Sequence, residues 1–297
     1  MPPSLPLTYQ HPIILLFVFA FGATTGSFLN VCIFRMPERE SVIRPPSRCG
    51  SCGTRLGVVD LIPVLSALIF WFRCRHCGHR YSWQYPFVEA LTGAYFVLAL
   101  VTFGPSLRAL VTILAGCCLI VIFFIDLRHL IIPNELPAAI LLGAFVLDGE
   151  YLYQVGWTQG AVRWGEQVAG QAYWVGLPRS VLGMVLGGGL FLFIAWGASL
   201  IWRKEAMGGG DIKLAAAMGA LLGPGYVFLV YFILSVCLGA VVGIILRLLR
   251  LKGGREHIPF GPMMAVVGLV MLLWGDAIAP LIMSLYGAGS GGGGGQV

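Results

Sequence analysis

From Ile13 to Phe34 the chain runs 22 residues without a charged side chain. A helix rises about 1.5 Å per residue, so this run is long enough to cross a hydrocarbon layer of about 30 Å. Seven further apolar segments follow, roughly 85–104, 109–125, 130–147, 178–202, 212–222, 225–246 and 259–283. Apolar types supply 58% of the 297 residues and charged types 11%, against about 45–50% and about 25% in a soluble domain. That excess excludes a soluble globule, a disordered chain and a small disulfide-stapled domain. The expected fold class is an all-α polytopic membrane protein with about eight transmembrane helices. Two segments are irregular: Pro133 and Pro137 interrupt the fourth, and Gly223-Pro224-Gly225 turns the sixth into the seventh. Gly57 to Phe72 is apolar but short and holds Asp60 and Pro63, so it reads as interfacial or re-entrant.

The basic residues set the orientation. No Lys or Arg precedes Ile13, which argues against a cleaved secretory signal. With the N-terminus outside, sixteen of the nineteen Lys and Arg fall in loops on one side. Only Arg108, Arg163 and Arg179 fall on the other. The positive-inside rule makes the rich side cytoplasmic and places both termini outside. Anionic membrane lipid is the expected partner of that basic face, and no nucleic acid is expected. The outside loop 148–178 carries Trp157, Trp164 and Trp174, a composition suited to the membrane interface. The predicted organisation is a first span over 1–34, a cytoplasmic cysteine module over 35–84, a membrane core over 85–283, and a flexible Gly-rich tail over 284–297 that takes no part in the fold.

Four of the eight cysteines form two knuckles, Cys49-Gly-Ser-Cys52-Gly and Cys74-Arg-His-Cys77-Gly, 21 residues apart. A two-residue gap lets both sulfurs of a knuckle reach one tetrahedral ion, and the following Gly permits the tight turn. The reducing cytoplasm disfavours two structural disulfides. Zinc held by Cys49, Cys52, Cys74 and Cys77 is the expectation, with a redox dithiol pair or unligated thiols as alternatives. Four thiolates close the coordination sphere, so such a zinc is structural and His76 and His79 are not needed as ligands. The remaining cysteines lie in apolar helices, where packing is the default role.

Thirteen acidic residues exist, and two of them stand at the ends of apolar runs. Asp126 closes the third segment, and Asp211 opens the sixth after Gly208-Gly209-Gly210. The orientation set by the basic residues places both at the cytoplasmic boundary. A carboxylate beside hydrocarbon is costly and points to function. The plainer readings are that Asp126 pairs with Arg128 or caps a helix, and that Asp211 favours its helix N-terminus or pairs with Lys213. Three glycines before Asp211 lower helix propensity and let another chain come close. Two aspartates brought together would share one proton. The ionised one can activate water while the protonated one donates to a scissile carbonyl, which is aspartic-protease chemistry. HExxH is absent, and no His is placed for a Ser–His pair among the spans.

These pieces together resemble the bacterial prepilin peptidases, the membrane enzymes that process type IV prepilins and type II secretion pseudopilins. The resemblance rests on Gly26-Ser27-Phe28-Leu29-Asn30-Val31, the double CxxC, and Ile62-Pro63-Val64-Leu65-Ser66 between the knuckles. It continues through Tyr85-Pro86-Phe87-Val88-Glu89, Asp126 with Ile132-Pro133-Asn134, Gly208-Gly209-Gly210-Asp211 with Lys213, and Ile258-Pro259-Phe260-Gly261-Pro262. It implies a bifunctional enzyme of the bacterial inner membrane. Such an enzyme cuts a leader after a Gly on the cytoplasmic side and then methylates the new N-terminus with S-adenosylmethionine. It also implies that Asp126 and Asp211 are the catalytic pair and that the cysteine loop is a zinc domain that shapes rather than cuts. No GxGxxG signature places the methyl donor. Glu89 is a weakly marked helper for methylation, and pairing with Arg80 or Arg75 is its plainer role. Two readings from other classes compete: an ion-coupled transporter using both aspartates, and a zinc-dependent scaffold of a secretion machine.

Overall fold

A computed structural model describes residues 11–57, 59–155, 163–164, 173–174, 177–202, 207–249 and 259–285. The chain divides into two compact units, Met1–His129 and Leu130–Val297.

In the first unit α1 spans Pro12–Arg35, α3 Gln84–Phe103 and α4 Leu107–His129, with the short α2, Leu65–Ile69, in the loop between α1 and α3. Helix α1 begins where Pro12 presets the first turn and the His11 side chain accepts from the Ile13 N–H. Inside it, Thr24 and Thr25 donate to the carbonyls of Ala20 and Phe21, so neither hydroxyl meets lipid unpaired. Helices α1 and α3 run antiparallel and touch through glycines. A Cβ on Gly26 would stand 2.7 Å from the Glu89 Cα, and one on Gly93 2.8 Å from the Phe19 carbonyl oxygen. Helix α4 receives the Tyr95 ring at Gly116, where a Cβ would lie 2.0 Å from the ring edge. Such small-residue contacts are how helices close on one another where apolar burial gives no drive.

The apolar stretch after the first knuckle does not span. It breaks into a 3₁₀ turn at Val59–Leu61 and the five-residue α2, with Val64 at φ 63° between them. Ser66 and Ala67 turn inward, while Leu65, Leu68, Ile69 and Trp71 are exposed. Neither piece is long enough to cross a membrane.

The second unit holds α5, Glu135–Val155, a hairpin of β1, Arg163–Trp164, with β2, Tyr173–Trp174, then α6, Arg179–Trp202, α7, Gly209–Leu222, α8, Tyr226–Leu248, and α9, Gly261–Leu285. Pro133 precedes α5 and Pro137 sits in its first turn, where a missing N–H costs nothing, so the helix starts cleanly instead of being interrupted. It also runs past Asp148, where the outside loop was expected to begin. Glu150 and Gln154, one turn apart, pair on that extension. Trp157 lies outside the described residues.

Each of the eight apolar segments becomes a helix, but only seven described helices are long enough to cross a membrane. The exception is α7, 14 residues long, or about 21 Å against a hydrocarbon core of about 30 Å. It is built for burial: Leu214, Ala215, Ala217, Met218, Gly219, Ala220 and Leu222 are enclosed, and α7 packs against α5, α6, α8 and α9 alike. Against α6 it runs antiparallel through Gly183 and Gly187, which meet Gly219 and Ala215. A Cβ on Gly183 would fall 2.0 Å from the Gly219 carbonyl oxygen. The start of α6 is tied to the end of α7 and to Asp148 of α5 beside this crossing. Arg179 Nη2 donates to the Leu222 carbonyl at 3.1 Å, and the Ser180 N–H donates to the Asp148 carboxylate. Arg179, one of the few basic residues expected outside, thus closes the C-terminus of α7.

Candidate functional site

Asp211 stands in the first turn of α7, half-buried. Gly208 is the N-cap, and the Asp211 N–H donates to its carbonyl at 3.1 Å. An acid here is favoured by the helix dipole. The glycines before it have separate reasons. A Cβ on Gly210 would press on Ile132 at 3.0 Å, so this Gly admits the Ile132-Pro133-Asn134 segment. Gly209 faces open space. Lys213 Nζ donates to Asn134 Oδ1 at 2.7 Å, which clamps the same segment onto the helix. The sequence reading treated Ile132-Pro133-Asn134 and the GxGD box as separate pieces, and the structure joins them. Pro259 is buried and Phe260 packs on Phe191, at 6.1 Å between centroids, so the second proline motif anchors the start of α9. Ile258 lies outside the described residues.

Asp126 occupies the last turns of α4 and is 5% exposed. Arg128, two residues on, donates to Gln84 Oε1 and lies over the Phe34 ring, 5.3 Å from its centroid. That ties the end of α4 to α3 and α1. Asp126 belongs to the first unit and Asp211 to the second.

The four knuckle thiols converge, with all four Sγ atoms within 4.8 Å of one another. Cys49 and Cys77 Sγ are 3.9 Å apart. A Zn–S bond of about 2.3 Å sets the edge of a tetrahedral sulfur cage at about 3.8 Å, so the cluster has the dimensions of a zinc site. The two knuckles share one turn. Gly53 and Gly78 adopt φ 70° and 69°, and each donates its N–H to the first Cys of its knuckle at 2.9 Å. His76 and His79 are exposed and outside the cluster. Without a cation the thiols divide their protons unequally. Hydrogen bonds from Thr54, side chain then backbone, hold Cys52 down to about 6. The backbone N–H groups of His76 and Cys77 lower Cys74. At Cys77 the His79 N–H pulls down, but loss of water and the neighbouring sulfurs outweigh it and push the thiol up to about 11.

Between the knuckle loop and the adjoining ends of α1, α3 and α4 lies a cavity of about 590 Å³. Glu89, 8% exposed, lines it. Its Oε2 accepts from the Val64 N–H at 2.8 Å, and Arg75 pairs with Asp60 at 3.6 Å. Neither Arg75 nor Arg80 is therefore the partner of Glu89, contrary to its plainer sequence reading. Burial, and next the charge of Glu89, push the Tyr81 phenol above its usual range. Sequence reasoning missed Asn30 as a cavity residue in its own right. Its one signal was an amide near the C-terminal end of a mostly apolar helix, and such a group must be hydrogen-bonded.

The fold and these groups define a multi-pass inner-membrane protein that carries carboxylates at its helix ends and a four-thiol loop after its first span. Residues 20–103 match the bacterial peptidase A24 N-terminal domain, and residues 113–244 match the type IV leader peptidase family. The chain belongs to the type IV leader peptidase family. A prepilin leader peptidase/N-methyltransferase of Aeromonas salmonicida is 33% identical, with 90% of this chain and 93% of that protein aligned. Proteins of the same name from Pseudomonas putida and Bacillus subtilis are 32% and 31% identical, over 90% and 88% of this chain and 92% and 94% of theirs. No solved structure matches the chain.

Proposed function

We propose that this enzyme cuts the leader from type IV prepilins or type II secretion pseudopilins after a Gly, using Asp126 and Asp211, and then methylates the new N-terminus with S-adenosylmethionine. One observation carries the reading: relatives named prepilin leader peptidase/N-methyltransferase align along 90% of the chain. Their alignment takes in both the helix end that holds Asp126 and the buried short helix that presents Asp211.

In the peptidase step one carboxylate is ionised and the other protonated. The ionised one takes a proton from water as the oxygen attacks the scissile carbonyl carbon. The protonated one donates to the carbonyl oxygen, so a neutral diol forms. Return of a proton to the leaving nitrogen breaks the C–N bond, leaving the leader with a carboxylate and the pilin with a free amine. Neither step needs a nucleophilic side chain. The glycines before Asp211 leave room for extended substrate beside the carboxylate. S-adenosylmethionine, when bound, supplies an electrophilic methyl group to that amine.

Cys49, Cys52, Cys74 and Cys77 would hold zinc, whose closed four-sulfur sphere leaves no position for substrate. Its role is to fix the loop after the first span. Both termini lie in the periplasm and both aspartates at the cytoplasmic face, because sixteen of nineteen basic residues then fall inside. Anionic lipid headgroups meet that basic face.

Mass spectrometry of detergent-solubilised enzyme with a precursor pilin and S-adenosylmethionine tests the reading. The expected result is loss of the leader and gain of one methyl mass, both absent in Asp126→Asn and Asp211→Asn. Leader loss that persists in either folded variant overturns the two-aspartate mechanism.

A further inference from the structure

Neither aspartate lines the first-unit cavity. At about 590 Å³ it falls within the range of small-molecule sites, about 300–1,000 Å³. Its wall holds six arginines, Arg35, Arg48, Arg73, Arg75, Arg80 and Arg128, against two carboxylates, Asp60 and Glu89. Glu89 is already satisfied, since it accepts from the Val64 N–H and from Ser27. Among the described residues only Arg75 of the six meets a carboxylate, Asp60 at 3.6 Å. A zinc-loaded cluster would add two negative charges from its four thiolates. The wall would still carry a surplus of positive charge.

This charge is gathered against its own repulsion. Each knuckle sets arginine opposite arginine, Arg48 across from Arg55 and Arg73 across from Arg80. Like charges directly opposite on paired segments are destabilising, and an anion offsets that cost. Other guanidiniums are held by neutral groups. Arg35 donates to the carbonyls of Ser41 and Pro45. Arg128 lies over the Phe34 ring at 5.3 Å, and Arg75 over the Phe70 ring at 5.1 Å. Such contacts fix a guanidinium in place without cancelling its charge. The result is a pre-organised cationic wall suited to the oxygens of a phosphate group. The apolar surroundings narrow the source of that phosphate. Helix α2 gives Ser66 and Ala67 to the cavity, while its Leu65, Leu68 and Ile69 are exposed. One short helix thus joins the cationic wall to an apolar surface, beside the ends of three long apolar helices.

We propose that this cavity holds the phosphodiester of an anionic phospholipid, with the arginines on its oxygens and its acyl chains beside Leu65, Leu68 and Ile69. The proposal rests on the reading that anionic lipid meets the basic face, and it replaces a diffuse attraction by one site with named residues. Basic pockets between membrane helices bind anionic headgroups in this way. A free phosphate or an acidic peptide would use the arginines but would leave the apolar side of α2 without a partner.

Native mass spectrometry of the zinc-loaded, full-length protein in uncharged detergent counts bound lipid directly. It needs no pilin, so its outcome is separate from that of the cleavage assay, and orientation is read separately by reporter fusions. The probes are dioctanoyl phosphatidylglycerol, its neutral phosphatidylcholine counterpart, inorganic phosphate and hexaglutamate. One phosphatidylglycerol per chain is expected, in preference to phosphatidylcholine. Arg73→Gln combined with Arg80→Gln should weaken it by about tenfold or more. Arg39→Gln combined with Arg44→Gln removes the same charge outside the cavity and should weaken it by less than about threefold. Equal weakening by the two pairs, or no preference over phosphatidylcholine, leaves only a diffuse basic face and overturns the proposal. Displacement of the lipid by an equal concentration of inorganic phosphate assigns the cavity to a free anion, and displacement by hexaglutamate assigns it to an acidic peptide. Either result overturns the lipid site. Should a variant fail to fold, a phosphatidylglycerol with a photoreactive headgroup is cross-linked to the unaltered protein. Label in peptides covering 66–85 supports the site, and its absence from them overturns it.

Discussion

Asp126 and Asp211 each reach their place by a different local device. Asp126 rides on the end of a long buried helix, whereas Asp211 is set in the first turn of a short one by a Gly cap. Replacing either by Asn keeps the size and removes the proton exchange. Cleavage should fall by about 10²–10⁴-fold in each, measured as leader release from a precursor pilin with the variant's melting temperature within a few degrees of the unaltered enzyme. Lys213 acts through Asn134, which it holds at 2.7 Å. Lys213→Met should therefore loosen the Ile132-Pro133-Asn134 segment and reduce cleavage less than either Asp variant, a ranking checked in the same assay. The cluster of four knuckle cysteines was readable from residue type and spacing. Asn30 and Arg179 were not, because their roles depend on a carbonyl or cavity contributed by a distant segment.

At the scale of elements, the crossing of α6 and α7 depends on side chains that are absent. A Cβ on Gly219 would lie 2.3 Å from the Gly183 carbonyl oxygen. Gly219→Leu should cost at least about 1–3 kcal/mol, read as a lowered unfolding midpoint in detergent, whereas Gly209→Ala, which faces open space, should leave that midpoint unchanged. The knuckle loop is the other element with a sharp test. One zinc per chain is expected by elemental analysis. In the metal-free loop Cys77, pushed up to about 11, keeps its proton at neutral pH, while Cys52, held down to about 6, has lost its own. Metal uptake at pH 7 should therefore release protons, and occupancy should fall as pH drops below about 6 and Cys52 re-protonates. An indicator-dye titration showing no proton release would contradict thiolate ligation.

At the scale of the whole molecule, the uneven placement of the basic residues gives the proposed orientation a direct test. Alkaline phosphatase fused within 148–178 or at the C-terminus should be active outside the cytoplasm, and fusions within 50–80 should be silent. The reverse pattern would invert the topology and move both aspartates to the other face. The parity of this topology requires the short α7 to reverse the chain between α6 and α8. It does so without the length of a full span, because its partners surround it and lipid need not be crossed end to end.

The sequence alone determined the class, the number of apolar segments and the metal-type cluster. Each of these is a local property: hydropathy over a window, or ligands two residues apart. Only the tertiary structure decided that α5 outruns its apolar segment, that α7 is a buried short helix, and that Gly183 and Gly219 press together. It alone decided that Glu89 and Asn30 line one cavity, where Glu89 accepts from the Val64 N–H and Asn30 Oδ1 is left without a partner. Those facts depend on which helices meet, and helix contact in a membrane turns on a few small residues and single hydrogen bonds rather than on a periodic pattern visible along the chain.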